Sequence, residues 1–360
     1  MDALHLSQEL IRVNTCLSGE AVAAALVAHH LEAAGVPSSV IEWRPGRSQL
    51  IARHGGDQPV VLTGHLDTVA VDPVSWTADP WGAQISDGWL YGRGSSDMKS
   101  GVAALTAAYL SHVTRPHPCR GVQLVLTAAE ETGCEGARKL AATMPAEPRA
   151  VIVAEPTANR LVLGHKGALW LRLTARGRAA HGSRPDLGDN AILRLTRAVE
   201  ELLAAGQWPT HPQLGAGTIN VGTVHGGQQV NMVPDHAEAT LDIRTVPHPA
   251  TASLAADVAA VVGDQVDVTT LMNLPPVATA ADHPATELVR TVLRDAGLPD
   301  HPDPGATFFT DAAVLGGPAL IIGPGEPDQA HVVDERCRVD HIYAATEIYT
   351  TLLDRACVRA

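Results

Sequence analysis

The chain has 360 residues, with Lys+Arg 26 against Asp+Glu 39 and a formal net charge of −13. That length gives one large domain or two with room for a full core, and the acidity argues against binding a nucleic-acid backbone. No apolar run approaches the roughly 18 residues of a membrane span, and the opening MDALHLSQELIRVNT lacks the basic-then-apolar order of a secretory leader. The five cysteines are scattered with no C-x-x-C, which predicts reduced thiols in a cytoplasmic protein and argues against a thiolate zinc site. Histidine is abundant, 17 in all, so each one is judged by its context.

In chain order, two helices and three strands open the sequence. Val22, Leu26, Val27, His30 and Leu31 recur at helical spacing until Gly35 and Pro37 stop the run. Apolar runs at 38–43, 49–53 and 60–63 read as strands. An Ala- and Leu-rich helix is predicted over 98–111, and buried strands over 122–128 and 150–154. Continuous apolar strands interleaved with helices predict an α/β sheet covered on both faces.

From Gly167 the texture changes. Leu169, Leu171 and Leu173 alternate with Trp170, Arg172 and Thr174, the period of a half-exposed strand. A helix over 190–203, strands near 218–224 and 237–246, a helix near 250–262 and a strand near 265–271 follow. That order is β-α-β-β-α-β, the ferredoxin-like arrangement. After Pro275 and Pro276 the first texture resumes. The prediction is a discontinuous α/β domain, residues 1–166 and 275–360, carrying an inserted smaller domain, residues 167–274.

Chemistry-bearing residues collect where strands end. In VVLTGHLDTV an apolar strand runs into His65 and Asp67, which share one side of an extended chain. In YGRGSSDMKSG, glycines precede Asp97 at a helix start. It reads there as an N-cap or as a carboxylate able to bridge two cations. In LVLTAAEETG a buried strand ends in Glu130 and Glu131, whose side chains point apart if the chain is extended. VIVAEPT ends a strand in Glu155, and IIGPGEPDQAH leads through a glycine turn to His331. Each has a plain structural reading alone. Together, two histidines and three carboxylates suit two borderline-hard cations such as zinc, with one spare carboxylate as a base.

These stretches resemble the co-catalytic zinc peptidases that include acetylornithine deacetylase, succinyl-diaminopimelate desuccinylase, aminoacylase and carboxypeptidase G. The resemblance covers nearly the whole chain and rests on GHLDTV, YGRGSSDMKSG, AAEETG, VAEPT and QAHVVDE in that order. It implies an α/β dinuclear-zinc aminopeptidase-like catalytic domain with the ferredoxin-like insert as lid and dimerisation domain. It implies two Zn2+ per subunit, with Co2+ as a substitute. His65, Asp97 and Glu155 would hold one cation, and Asp97, Glu131 and His331 the other. Asp67 would orient the His65 ring, and Glu130 would be the general base. In the insert, AHGSRP resembles the lid histidine motif. It makes His181 a residue that reaches the neighbouring subunit's site, with Arg184 beside it. GGQQVNMVP with Asn231, and LDIR with Arg244 on a polar strand face, match the second half of the lid. For Arg244 a structural salt bridge is the competing reading.

The expected function is a cytoplasmic amidohydrolase of amino-acid biosynthesis that removes the acyl group from an N-acyl L-amino acid, most like acetylornithine deacetylase. Succinyl-diaminopimelate desuccinylase, or a dipeptidase or carboxypeptidase acting on short peptides, is the alternative within the family. A catalytically silent homologue that binds a metabolite or partner is the alternative outside it. A nucleotide-binding protein is disfavoured because no dinucleotide glycine fingerprint follows the first strands. No G-x-S-x-G is present, and Cys134 reads as a packed helix residue.

Overall fold

The structure is a computed structural model that describes residues 1–16, 18–116, 119–144, 148–206 and 208–357. It divides into two compact units. The first comprises Met1–Gly164, Ala278–Pro304 and Thr310–Ala360, and the second His165–Val277 and Gly305–Phe309.

The first unit opens with α1 (Ala3–Arg12), whose N-terminus is capped by the Asp2 side chain, and α2 (Glu20–Ala33). Then come β1 (Ser39–Arg44), β2 (Arg47–His54), β3 (Val60–His65), α3 (Lys99–Val113), β4 (Val122–Thr127), α4 (Glu135–Leu140) and β5 (Ala150–Val153). The second unit contributes β6 (Gly167–Arg176), α5 (Ala191–Ala205), β7 (Thr218–Gly226), β8 (His236–Thr245), α6 (Leu254–Val262) and β9 (Val266–Leu274). The chain returns to the first unit with α7 (Pro284–Asp295), β10 (Ala319–Ile321) and α8 (Val339–Cys357).

The first unit is built on a six-stranded sheet in the order β1-β2-β4-β3-β5-β10. β4, β3, β5 and β10 run parallel, while β1 and β2 are antiparallel additions at one edge. β3, β4 and β5 are buried along their whole length, as their Val, Leu and Ile content requires of strands covered on both faces. Leu10, Val27 and Leu31 from the first two helices, Val102 and Leu105 from α3, Val289 from α7 and Leu352 from α8 join the strands in one apolar core. Register decides where the site lies. His65 pairs with Thr127 and Thr63 with Val153, so the residues that follow β3, β4 and β5 emerge along one edge. Gly101 lets α3 lie against the end of β5, since a Cβ there would sit 2.3 Å from the Ala154 carbonyl oxygen.

The second unit is a four-stranded antiparallel sheet in the order β7-β8-β6-β9 with α5 and α6 packed on it. Leu169, Leu171 and Leu173 of β6 and Leu241 and Ile243 of β8 face those helices and are buried with Leu195 and Val258. Asn190 caps α5 by accepting from the Leu193 N–H. Gly305–Phe309 belongs with this unit although it lies far along the chain from it.

Candidate metal centre

The strand-end residues of the first unit converge on one carboxylate. Asp97 Oδ1 lies 3.1 Å from His65 Nε2, and Asp97 Oδ2 lies 3.3 Å from His331 Nε2. Glu155 Oε2 stands 3.9 Å from the His65 nitrogen, and Glu131 Oε2 stands 3.1 Å from the His331 nitrogen. The two oxygens of Asp97 therefore face two separate histidine–carboxylate pairs. Asp97 does not cap α3, which starts at Lys99 without a side-chain cap. His65, Asp97 and Glu155 are largely buried, while His331 keeps its side chain 53% exposed.

The loop that presents Asp97 is held by Glu335, a residue that sequence reasoning did not assign. Its buried carboxylate accepts from the backbone N–H groups of Gly94, Ser96 and Asp97 at 2.8–2.9 Å and from Arg93 at 2.7 Å. Glu335 closes the QAHVVDE stretch, but nothing in the sequence connects it to a loop some 240 residues earlier. Asp67 does similar work. The resemblance makes it the residue that orients the His65 ring, and the ring's Nδ1 lies 2.9 Å from the Asp67 backbone carbonyl and 3.8 Å from the carboxylate. The carboxylate instead accepts from the Glu130 and Glu131 N–H groups, both at 3.1 Å.

That contact follows from a turn where an extended strand end was expected. β4 stops at Thr127, Ala129 takes a left-handed φ of 60°, and the N–H groups of Gly133 and Cys134 return to the Glu130 carbonyl. Cys134 is consequently not inside a helix. It sits in a left-handed turn before α4, with its thiol 3.8 Å from Glu130 Oε1. A second residue missed in the sequence is Asp311, buried beside a short helical turn, Ala312–Leu315, and hydrogen-bonded by the Thr127 hydroxyl. It follows Phe308-Phe309-Thr310 with no strand-end signature, so no local signal marks it.

Electrostatically the centre carries an excess of negative charge. Burial pushes Glu130 and Glu155 well above the ordinary carboxylate range, and burial with the Asp97 charge raises Glu131. Burial lifts Asp311 to about 6 against the Thr127 hydrogen bond. Asp97 moves the other way despite its burial, because His331 and His65 both donate to it. Burial alone would lower His65, but Asp97, Glu155 and Asp67 together hold it well above its usual value. His331 rises to about 10 through Asp97 and Glu131. Among the described residues, the recorded ion pairs of Asp97, Glu131 and Glu155 are to these two imidazoles alone. Carboxylates crowded in this way are matched by divalent cations. One carboxylate divided between two His–Glu pairs is a donor set that two such cations fit. His65, Asp97 and Glu131 also present ligand atoms within 4.8 Å of one another.

The remaining predicted site residues lie in the second unit and do not form a comparable cluster. His181 belongs to a two-residue strand, Ala180–His181, paired with Met232–Val233. Its exposed ring accepts the Ser183 N–H at Nδ1, which leaves the Nε2 of a neutral ring as a donor. Neighbouring Asn231 is exposed, and its carbonyl accepts the Gly182 N–H. Arg184 is exposed and engaged with Asp186 through two nitrogens, at 3.2 and 3.1 Å. Arg244 lies on the half-exposed face of β8, as predicted, bonded to Asp242 at 2.9 Å, with its guanidinium 5.6 Å from the centre of the Phe309 ring.

The sequence profile of peptidase family M20/M25/M40 matches residues 61–355. A succinyl-diaminopimelate desuccinylase of Cereibacter sphaeroides is 31% identical, over 98% of this chain and 98% of that one. An acetylornithine deacetylase of Photorhabdus laumondii is 30% identical, over 87% of this chain and 84% of its own. The fold matches a crystallised tripeptidase of Staphylococcus aureus with a TM-score of 0.79, at 20% identity, covering 98% of this chain and 97% of the other. No helix among the described residues is long and apolar enough to cross a membrane.

Proposed function

The chain belongs to peptidase family M20/M25/M40, metal-dependent hydrolases of amide bonds, and on that premise we propose that it removes the acyl group from an N-acyl L-amino acid. The observation that carries this reading is Asp97, whose two oxygens face His65 with Glu155 on one side and His331 with Glu131 on the other. His65, Asp97 and Glu155 would hold one Zn2+ and Asp97, Glu131 and His331 the other, with Co2+ as a substitute. When bound, such a pair acidifies a water and polarises the amide carbonyl.

The chain's own groups move the proton. Glu130, kept basic by its burial and fixed through its N–H on Asp67, accepts the proton of the attacking water and delivers it to the leaving amine nitrogen. Asp67 acts by holding the Glu130–Glu131 turn and, through its carbonyl, the His65 ring.

In the same reading the second unit, His165–Val277 with the returning Gly305–Phe309 segment, is a ferredoxin-like lid and the dimerisation domain. His181 donates from Nε2 to the carbonyl oxygen of a substrate held in the neighbouring subunit. Arg244 clamps the substrate α-carboxylate after exchanging Asp242 for it, and Asn231, whose backbone carbonyl accepts the Gly182 N–H next to His181, is a further donor to the substrate. Arg184 would serve a second carboxylate, as a succinyl group carries. The relatives support acetyl and succinyl substrates equally, since a desuccinylase and a deacetylase match at 31% and 30%. The described cysteines are all free thiols, which supports a reducing, cytoplasmic location.

The test is hydrolysis of N-acetylornithine, N-succinyl-diaminopimelate, other N-acetyl amino acids and dipeptides by zinc- and cobalt-loaded enzyme. Turnover of acyl amino acids with free α-carboxylates is expected. Turnover of dipeptides alone would replace the deacylase reading with a peptidase one.

A further inference from the structure

Three cysteine and histidine side chains with no part in the chemistry above meet inside the first unit. His112 lies in the last turn of α3, Cys119 in the connection to β4, and Cys357 at the end of α8. One ligand atom from each lies within 4.8 Å of the other two. His112 and Cys357 are fully buried and Cys119 is half-buried. The scattered positions 119 and 357 hide the grouping in the sequence, because it is the packing of α3 against α8 that closes it.

The surroundings are those of a metal site. His112 Nδ1 meets Asp354 Oδ1 at 3.1 Å, and Asp354 is itself held by Arg115. A carboxylate on Nδ1 fixes that proton and turns the Nε2 lone pair toward the sulfurs, the usual support of a metal-bound imidazole. Nε2 lies 3.7 Å from Cys119 Sγ. A tetrahedral zinc with ordinary Zn–N and Zn–S bonds spans about 3.6 Å between such a pair. The Gly121 N–H donates to Cys119 Sγ at 3.4 Å and Arg149 to Cys357 Sγ at 3.6 Å, while the Cys357 thiol donates to the Gly121 carbonyl at 3.3 Å, a bond it gives up on binding a cation. Buried cysteines often serve only as small apolar filler. Two of them converging on one carboxylate-oriented imidazole do not fit that role.

We propose that His112, Cys119 and Cys357 form a second metal site that takes one thiophilic divalent cation of the Zn2+ class, separate from the catalytic pair. Two thiolates neutralise the cation. The site lies at the start of β4, whereas the catalytic residues follow its end. Six strand residues separate the two by roughly 20 Å. A cation here ties the last turn of α8 to α3 and to the loop entering β4, so its role is structural. Binding through thiolates displaces their protons, so uptake strengthens with pH.

The test is a Co2+ titration of the full chain kept reduced with a phosphine. Cobalt–thiolate bonds give a near-ultraviolet charge-transfer absorption that a centre of carboxylates and imidazoles does not. In the wild type the amplitude of this absorption at saturation should correspond to one thiolate-bound cation per chain, whatever the catalytic pair takes up, and zinc should shield two thiols from a thiol reagent. Both signals should vanish in Cys119→Ser and Cys357→Ser yet persist in Asp97→Ala, which separates this site from the catalytic pair. If Cys357→Ser fails to fold, Cys119→Ser, at a half-buried position, and the thiol count in the wild type decide alone. Absence of the charge-transfer signal in reduced wild type, or its survival in Cys119→Ser, would overturn the proposal. So would a Cys119–Cys357 disulfide forming in place of cobalt uptake.

Discussion

The two units carry their functional residues in opposite ways. In the first, His65, Asp97, Glu130 and Glu155 are largely buried, and each is held by backbone groups or by another member of the cluster. In the second, His181, Arg184 and Asn231 are exposed. There His181, Arg184 and Arg244 each find their side-chain partner only two residues away along the chain. With the proposed roles, the difference teaches that the reacting groups would be set before substrate arrives, whereas the binding groups would have to give up local partners to engage it. Buried charges justify such fixed geometry because they are costly unless paired. Exposed ion pairs are worth little and are readily exchanged.

Substitutions can break or sharpen this contrast. The largest effect is expected from Asp97→Ala, which removes the carboxylate common to both histidine–glutamate pairs. Metal analysis should show both catalytic cations lost and activity at background. Full activity in metal-free protein would sink the reading of the first unit altogether. Glu130→Gln should fold and keep its cations but lose roughly 10²–10⁴-fold in kcat, while Glu131→Gln should weaken cation binding. The reverse pattern would exchange the two roles.

In the second unit, His181→Ala should cost roughly 10²–10³-fold in kcat, the scale of one lost donor to a developing oxyanion. Mixing it with Glu130→Ala under subunit exchange should restore activity at one of the two sites in each heterodimer. No recovery after proven exchange would confine His181 to its own subunit or remove it from the chemistry.

A smaller effect concerns pH. His65 and His331 are raised above their usual values without metal, so they carry protons at neutral pH that a cation must displace. Affinity should therefore fall as pH falls, by about tenfold per unit for each proton displaced. Calorimetry in buffers of different ionisation enthalpy reads the proton release directly, and none would mean the imidazoles are not ligands. The smallest effect is expected from Arg184→Ala. Its exposed pairing with Asp186 should leave the melting temperature unchanged. A selective rise in KM for succinylated substrates is its diagnostic.

The residues that sequence reading reaches are those whose local signal matches their role. An apolar run followed by His, Asp or Glu marks a strand end, and parallel register brings such ends together. That logic covers His65, Glu130, Glu131 and Glu155, and the α/β texture around them. It fails for groups whose role depends on distant pairing. Glu335 is one charged residue among several in its stretch until the loop around Asp97 is seen to close on it. Asp311 has no apolar run before it. Cys119 and Cys357 are far apart in sequence, and their spacing spoke against any shared site. In the second unit, alternation placed Arg244 on a polar face and left a structural salt bridge open beside substrate binding, and Asp242, two residues earlier on that face, supplies such a bridge. Gly305–Phe309 joins the second unit from beyond the boundary that Pro275 and Pro276 suggest, because texture reports local burial and not which core a loop joins.

Gly101 bears on how this protein could be made more robust. Replacing a glycine inside a helix with alanine is a routine thermostabilising change, worth about 1 kcal/mol when the site has room. Here the added methyl would meet the Ala154 carbonyl oxygen at 2.3 Å, a backbone atom that cannot rotate aside. The helix would have to lift, at an overpacking cost of about 1–3 kcal/mol. It begins two residues after Asp97 and rests on the segment leading to Glu155, so the displacement would spread to those two carboxylates. A stabilisation campaign guided by helix propensity alone would select this position and lose activity for it.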